Sequence, residues 1–193
     1  AVCGLALSAH AVPTVVTPAS EVATSQFGDW IDTIDGTGLS GGGTSGDILS
    51  ETHAAGGGGN FALFPGGPDY TGESITFTLS GASTVDRVHL WLDRSTWGDI
   101  TGFDLEFSTD NGSTFPTVVT GITFDGNAAD LSVVQTQSFA EQTGVTDIKL
   151  SNVVVTGVDS GKGFAGFNEI RFGHDPIPEP TTSLLGLLGT ALL

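Results

Sequence analysis

Hydrophobic and polar residues alternate along residues 73–172, as they do in strands that bury one face. In the segment GFDLEFS at 102–108, Phe103, Leu105 and Phe107 fall on one face, and acidic residues fall on the other. Turn residues interrupt the alternation about every 8–12 positions, which is the spacing of short strands in all-β domains. We therefore expect strands at 73–79, 84–93, 102–108, 117–124, 132–139, 146–155 and 164–172.

The fold class follows from these short strands and their polar turns. They predict an all-β fold, an antiparallel β-sandwich of the jelly-roll type, with few and short helices because no segment shows sustained helical periodicity. The strand at 84–93 places Val88 and Leu90 on one face and Trp91 on the other, where Trp91 can pack under a loop. The first 70 residues differ, since the runs 41–46 and 56–59 predict long glycine-rich loops beside weak strands.

Charge excludes two classes of partner. The chain has 22 acidic residues against 5 Lys and Arg, a formal net charge of −17. It lacks the basic surface that would neutralise nucleic-acid phosphates or dock on anionic lipid. Its apolar content of 38% is that of a folded domain rather than a disordered chain.

The amino-terminal residues 1–11 are apolar, carry no formal charge and end in a small-x-small pattern, Ala9-His10-Ala11. We interpret this segment as the remnant of a secretory signal peptide; a hydrophobic first strand or a lipoprotein anchor at Cys3 is the alternative. Cleavage after Ala11 would remove Cys3 and leave a chain with no disulfide and no cysteine-based metal site.

Residues 174–193 combine a proline-rich segment with a Gly/Leu-rich apolar run. Pro178, Glu179 and Pro180 followed by LLGLLG resemble the PEP-CTERM sorting tail of Gram-negative, exopolysaccharide-producing bacteria, although the family's basic cluster is absent. The resemblance implies processing by an exosortase, export to the cell envelope or beyond, and membrane contact only through this tail. An amphipathic helix is the alternative, but the run has no polar face.

Residues 12–173 form the remaining domain and resemble the discoidin family of galactose-binding-like jelly rolls. The resemblance rests on four segments that occur in the family's order. They are TIDG at 33–36, ESITFTLSGASTVDRVHLWL at 73–92, GFDLEFSTDNGSTF at 102–115 and GFAGFNEIRF at 163–172.

The resemblance implies one structural calcium ion. Asp35 matches the family's loop aspartate and Glu169 its closing-strand glutamate, while Thr37 and Ser40 would add carbonyl or hydroxyl oxygens. Calcium takes 6–8 oxygen ligands, and loops of this kind supply them. In the alternative interpretation, Asp35 only closes an Asx turn and Glu169 lies on a solvated edge.

A sugar-binding surface needs an aromatic platform and polar groups that hold hydroxyls. Related domains carry this surface on the loops at one end of the sandwich. The best candidates are Trp97, Arg94, Asp93, His53 and Phe61. Trp97 could instead cap the hydrophobic core, and Arg94 could only pair with a neighbouring aspartate.

Catalytic motifs are absent from the sequence: there is no HExxH, no phosphate-binding glycine loop and no nucleophile motif beside a histidine. His174 lies in the joint to the tail. We therefore predict a secreted, envelope-sorted, non-catalytic module that binds extracellular carbohydrate or exopolysaccharide. The alternative is a structural matrix or surface protein without a specific ligand, and a glycan-active enzyme ranks third.

Overall fold

The computed structural model describes residues 13–44, 46–55, 62–65, 70, 72–92, 98–156 and 163–175. In these ranges the chain forms nine β-strands and two short 3-10 helices, Trp30–Thr33 and Ile48–Ser50. The strands are β1 Thr14–Val16, β2 Pro18–Ala23, β3 Phe27–Gly28, β4 Ala62–Pro65, β5 Ile75–Leu92, β6 Gly98–Ser108, β7 Thr117–Thr123, β8 Gln135–Thr156 and β9 Phe164–His174.

The strands join in the order β2-β5-β8-β6-β9-β4-β3, with β1 on β9 and β7 on β6. Every pairing is antiparallel except a short parallel contact between β6 and β9. The first part of β5 pairs with β2 and with the end of β8, whereas its last part pairs with β9 and with the start of β8. The two long strands β5 and β8 therefore run through both halves of the sheet, which folds into a sandwich.

The core lies between these halves. The predicted inward residues Phe103, Leu105 and Phe107 are all buried in it, as are Val88 and Leu90. The acidic residues that alternate with them on β6 are partly exposed, so the prediction of one buried face is confirmed for this strand. Phenylalanine is prominent in the core, and rings from opposite elements touch, for example Phe77 and Phe172 with centroids 5.7 Å apart.

The length of two strands differs from the prediction. Residues 73–79 and 84–93 were expected as separate strands, but β5 is continuous, and β8 likewise joins the segments expected at 132–139 and 146–155. Ser83 pairs with Val145 across register shifts on both sides. Such bulges let a strand bend while it keeps its partner, so the small residues at 80–83 continue β5 along β8 instead of ending it.

A second, smaller cluster covers the outer face of β5. Trp91 is fully buried against Leu39 and Ile48, and its Nε1 donates to the Glu51 carbonyl at 3.0 Å. The prediction that Trp91 packs under a loop is confirmed. Among the described residues, no helix has the length and apolar character needed to cross a membrane.

Candidate functional site

Two charged side chains point away from the core on β9. Ile170 and Phe172 face the core, so Glu169 and Arg171 must point to the opposite face. Residues 35–44 and 46–53 cover that face, and both side chains are almost completely shielded from solvent. Glu169 Oε1 forms an ion pair with Arg171 Nη1.

Burial dominates the electrostatics of this pair. It raises the pKa of Glu169, assisted by the Asp35 charge and opposed by Arg171 and the Gly36 amide. Burial likewise lowers the pKa of Arg171, opposed by the three carboxylates of Glu169, Asp35 and Glu51. Besides Arg171 and the Gly36 amide, no described residue donates a hydrogen bond to either Glu169 oxygen. A buried carboxylate in this state favours a further cation or a proton.

The glycine-rich loop 36–43 is held against the pair by Glu51. Glu51 Oε2 accepts hydrogen bonds from the Gly41 amide at 2.7 Å and the Gly43 amide at 3.3 Å. Gly36 has a φ of +86°, and a Cβ there would lie 2.7 Å from the Gly42 carbonyl oxygen. Only glycine fits at position 36, because the backbone is left-handed and crowded at once.

The four predicted calcium ligands are only partly brought together. Asp35 lies near enough to Glu169 for its charge to raise the Glu169 pKa. Asp35 Oδ1 also accepts from the Thr37 amide at 2.7 Å, which is the Asx turn weighed as the alternative. The Thr37 carbonyl oxygen lies 2.9 Å from His53 Nε2, and Ser40 Oγ accepts a hydrogen bond from the Thr52 amide at 3.3 Å. Both groups therefore have partners other than a metal ion.

The net charge of this site suits a calcium ion, but only two of the four predicted ligands, Asp35 and Glu169, are suitably placed to bind one. Asp35, Glu51 and Glu169 bring three negative charges when ionised, and Arg171 brings one positive charge. A divalent cation would balance the remaining two. Asp35 and Glu169 are the carboxylates that could hold it, while Thr37 and Ser40 have other partners and would contribute only remaining lone pairs.

His53, predicted for the sugar site, is 1% exposed and lies inside the loop packing. Its Nδ1 is 2.7 Å from the Ala54 carbonyl and its Nε2 2.9 Å from the Thr37 carbonyl. These contacts tie loop 36–43 to the following segment, so the placement gives His53 a positioning role and does not support contact with a ligand. The remaining predicted sugar residues, Phe61, Asp93, Arg94 and Trp97, and the motif Pro178, Glu179 and Pro180 lie outside the described residues.

Several strand ends that flank the predicted sugar loops are adjacent. Leu92 pairs with Phe167, Gly98 with Ala165, and Pro65 with Phe164. Residues 93–97 thus connect two strand ends that both pair with the start of β9. At this end of the sheet Phe27 is 48% exposed, with its ring centroid 5.0 Å from that of Phe164.

Sequence reasoning missed Glu51, Arg171, Phe27 and Phe164. Arg171 carried a signal, because it follows Glu169 by two residues on a strand and must share its face. Glu51 and Phe27 lie in irregular parts of the sequence, and their contacts come from segments far away along the chain. No local pattern identifies them.

Comparison with protein-family models and with curated proteins gives no match. Solved structures do match. Truncated AlyQ with CBM32 and alginate lyase domains is 21% identical with a TM-score of 0.57, and the match covers 87% of this chain and 35% of that chain. This chain therefore spans about a third of that relative's length.

Two single modules match over nearly their whole length. The CBM32 of AlyQ in complex with 4,5-unsaturated mannuronic acid is 19% identical with a TM-score of 0.56, over 83% of this chain and 98% of that one. The family 32 carbohydrate-binding module of C. perfringens NanJ in complex with galactose is 17% identical with a TM-score of 0.54, over 84% and 100%. These similarities and the strand order confirm the predicted fold: the chain is an antiparallel β-sandwich of the galactose-binding-like type.

Proposed function

We propose that this chain is a non-catalytic module that binds extracellular carbohydrate at the end of the sandwich where β5, β6 and β9 meet. The observation that carries the proposal is the contact of the exposed Phe27 ring with the partly buried Phe164 ring at that end. Aromatic faces stack on the C–H faces of sugars, and contact with the Phe164 ring holds the exposed Phe27 ring in position for such stacking.

The sequence supplies further candidate ligand-binding residues in segments that directly adjoin the strand ends at this site. Asp93 and Arg94 follow Leu92 directly, and Trp97 precedes Gly98, whose strand pairs with the start of β9. Phe61 precedes β4, which pairs with the same part of β9. We propose that these residues contact the glycan, with Asp93 and Arg94 binding hydroxyls and Trp97 extending the aromatic surface. The bound sugars named for the CBM32 modules of AlyQ and NanJ support a carbohydrate as the ligand class.

The test is retention of the full chain on a panel of bacterial and plant polysaccharides. Phe27→Ala and Trp97→Ala should each weaken retention on every polysaccharide that retains the parent protein. Phe115→Ala is the matched control, because Phe115 is a partly exposed aromatic residue in the turn between β6 and β7, at the opposite end of β6. Equal weakening by all three variants would contradict a site at the β5, β6 and β9 end.

A structural matrix protein without a specific ligand is the competing function, favoured by the net charge of −17. A folded chain that no polysaccharide retains would favour this function over carbohydrate binding. A glycan-active enzyme ranks third, and release of reducing sugars from a retained polysaccharide would favour it.

We further propose that the module is exported and that an exosortase processes its tail. The support is the Pro178-Glu179-Pro180 motif and the apolar run that follows it. Expression in a Gram-negative host that carries an exosortase should yield a shortened chain in the envelope or the medium. Glu179→Ala should leave the full-length chain, whereas an equally shortened Glu179→Ala chain would contradict this role for the motif.

A further inference from the structure

Three side chains of metal-binding type meet where β9 ends. Asp86 lies on β5, Glu141 on β8 and His174 on β9. His174 Nδ1 is 3.1 Å from Asp86 Oδ2 and 3.7 Å from Glu141 Oε2, and the three donor atoms lie within 4.8 Å of one another. His174 follows Glu169 by five residues on the same strand, so this group is about 17 Å from the calcium candidate.

The spacing of the donor atoms fits a small four-coordinate ion. Ligand atoms bound to zinc at about 2.0–2.2 Å in tetrahedral geometry lie roughly 3.3–3.6 Å apart. The distance from His174 Nδ1 to Asp86 Oδ2, 3.1 Å, lies just below that range, and the distance to Glu141 Oε2, 3.7 Å, lies just above it. The mixed donor set also discriminates between metals, because imidazole with carboxylates suits zinc and neighbouring transition metals, whereas calcium takes oxygen ligands.

Groups behind Asp86 hold its carboxylate in position. The Asp175 amide donates to Asp86 Oδ1 at 3.2 Å and, at the longer distance of 3.4 Å, to Oδ2, and Arg87 Nε lies 3.5 Å from Oδ1. Arg87 Nη2 in turn donates to the Asp175 carboxylate. These contacts orient Oδ2 towards His174, as outer partners of metal ligands do.

Charge and exposure agree with a divalent ion. Asp86, Glu141 and Asp175 bring three negative charges against the one positive charge of Arg87, which leaves two to be balanced when His174 is neutral. The Glu141 side chain is 49% exposed, while those of Asp86 and His174 are 18% and 20% exposed. An ion can therefore enter from solvent and keep a water molecule as its fourth ligand.

We propose that Asp86, Glu141 and His174 bind one zinc ion. His174 coordinates through Nδ1, the two carboxylates each supply one oxygen, and water completes the tetrahedron. The ion joins β5, β8 and β9, because each ligand comes from a different strand. The site is independent of both carbohydrate binding and the calcium candidate.

The experiment is calorimetric titration of zinc chloride into the chelator-treated full chain, in the presence of millimolar calcium to occupy oxygen-only sites. We expect saturable binding of one zinc per chain, lost in His174→Gln and weakened at least about tenfold in Glu141→Gln. Asp47→Asn is the control, since it removes one exposed acidic charge whose side chain makes no cap hydrogen bond. Cobalt should give the visible absorption of a four-coordinate site in the parent chain and in Asp47→Asn only.

Thermal melting provides a second measurement. Zinc should raise the melting temperature of the parent chain and of Asp47→Asn but leave that of His174→Gln unchanged. Glu141 is exposed, so Glu141→Gln tests the site even if His174→Gln fails to fold. Absence of saturable binding at micromolar zinc would overturn the proposal, and so would equal zinc affinity in the parent chain and Glu141→Gln.

Discussion

Glu169 and Arg171 form an ion pair that is almost completely closed to solvent, on the face of β9 opposite the core. Two further carboxylates, those of Asp35 and Glu51, act on the same guanidinium. The pair therefore joins the last strand to the glycine-rich loop 36–43 and neutralises part of a strongly acidic cluster. Its desolvation is costly, so its partners depend on one another more than those of a surface pair do.

Removing the positive charge of Arg171 from this cluster should destabilise the fold. Arg171→Met leaves buried carboxylates unpaired and should lower the free energy of unfolding by about 3–5 kcal/mol. The double variant Glu169→Gln/Arg171→Met should recover much of that loss. Lys149→Met is the control, because Lys149 pairs with Glu106 at a partly exposed site and should cost less than about 1 kcal/mol. Urea unfolding measures all three, and equal losses for the two single variants would show that burial does not strengthen the pair.

Calcium should stabilise the parent protein if Asp35 and Glu169 bind it. A ligand that binds only the native state adds about 2.7 kcal/mol at a hundred times its Kd. Melting with calcium and with chelator should differ for the parent chain and coincide for Asp35→Asn. Asp125→Asn is a close control, because Asp125 Oδ1 accepts from the Asn127 amide at 2.9 Å in the same kind of turn. A parent chain whose melting ignores chelator would exclude a structural calcium ion.

Gly36→Ala should be more damaging than an ordinary glycine substitution. The left-handed backbone alone costs an alanine about 1–2 kcal/mol, and at Gly36 the new methyl group would also meet the Gly42 carbonyl and the Gly43 Cα. Gly144→Ala separates the two effects, since Gly144 has a φ of +68° with open space around its Cβ position. Chemical unfolding should show a larger loss in the free energy of unfolding for Gly36→Ala than for Gly144→Ala. Similar losses would mean that loop 36–43 accommodates the added methyl group at little cost.

Acid should weaken the fold through His89. Burial, with the Arg87 charge, lowers the pKa of His89 from 6.5 to about 4, although Asp86 opposes the shift. Below pH 6.5 His89 binds a proton in the unfolded chain, whereas in the native chain it does so only near pH 4. The free energy of unfolding therefore falls as the pH decreases from 6.5 to about 4. The total effect is about 3 kcal/mol, since each pH unit contributes about 1.4 kcal/mol.

The check on His89 is the free energy of unfolding measured from pH 7.5 to pH 4.5 by urea titration. His89→Gln should have a shallower dependence on pH across that range, and it keeps a group that can hydrogen-bond Thr136. Identical slopes for the two proteins would place the acid sensitivity elsewhere.

Local patterning determined much of the fold. Alternation on β6 put Phe103, Leu105 and Phe107 in the core, because a strand presents successive side chains to opposite faces whatever surrounds it. The same rule, applied to β9, puts Glu169 and Arg171 on one face. Whether two strand segments join into one long strand is not local, since the register shifts around Ser83 depend on the partner strand β8.

The sequence alone thus determined the all-β class, the buried faces of its strands and the acidic character of the chain. Only the tertiary structure decided which polar groups meet. Glu51 reaches the loop amides of Gly41 and Gly43, and His174 reaches Asp86 and Glu141, through contacts between segments distant in the chain. The alternation of hydrophobic and polar residues shows which side chains of a strand face the core and which face solvent. A site, in contrast, depends on how the strands pair with one another, and no single segment of the sequence encodes that pairing.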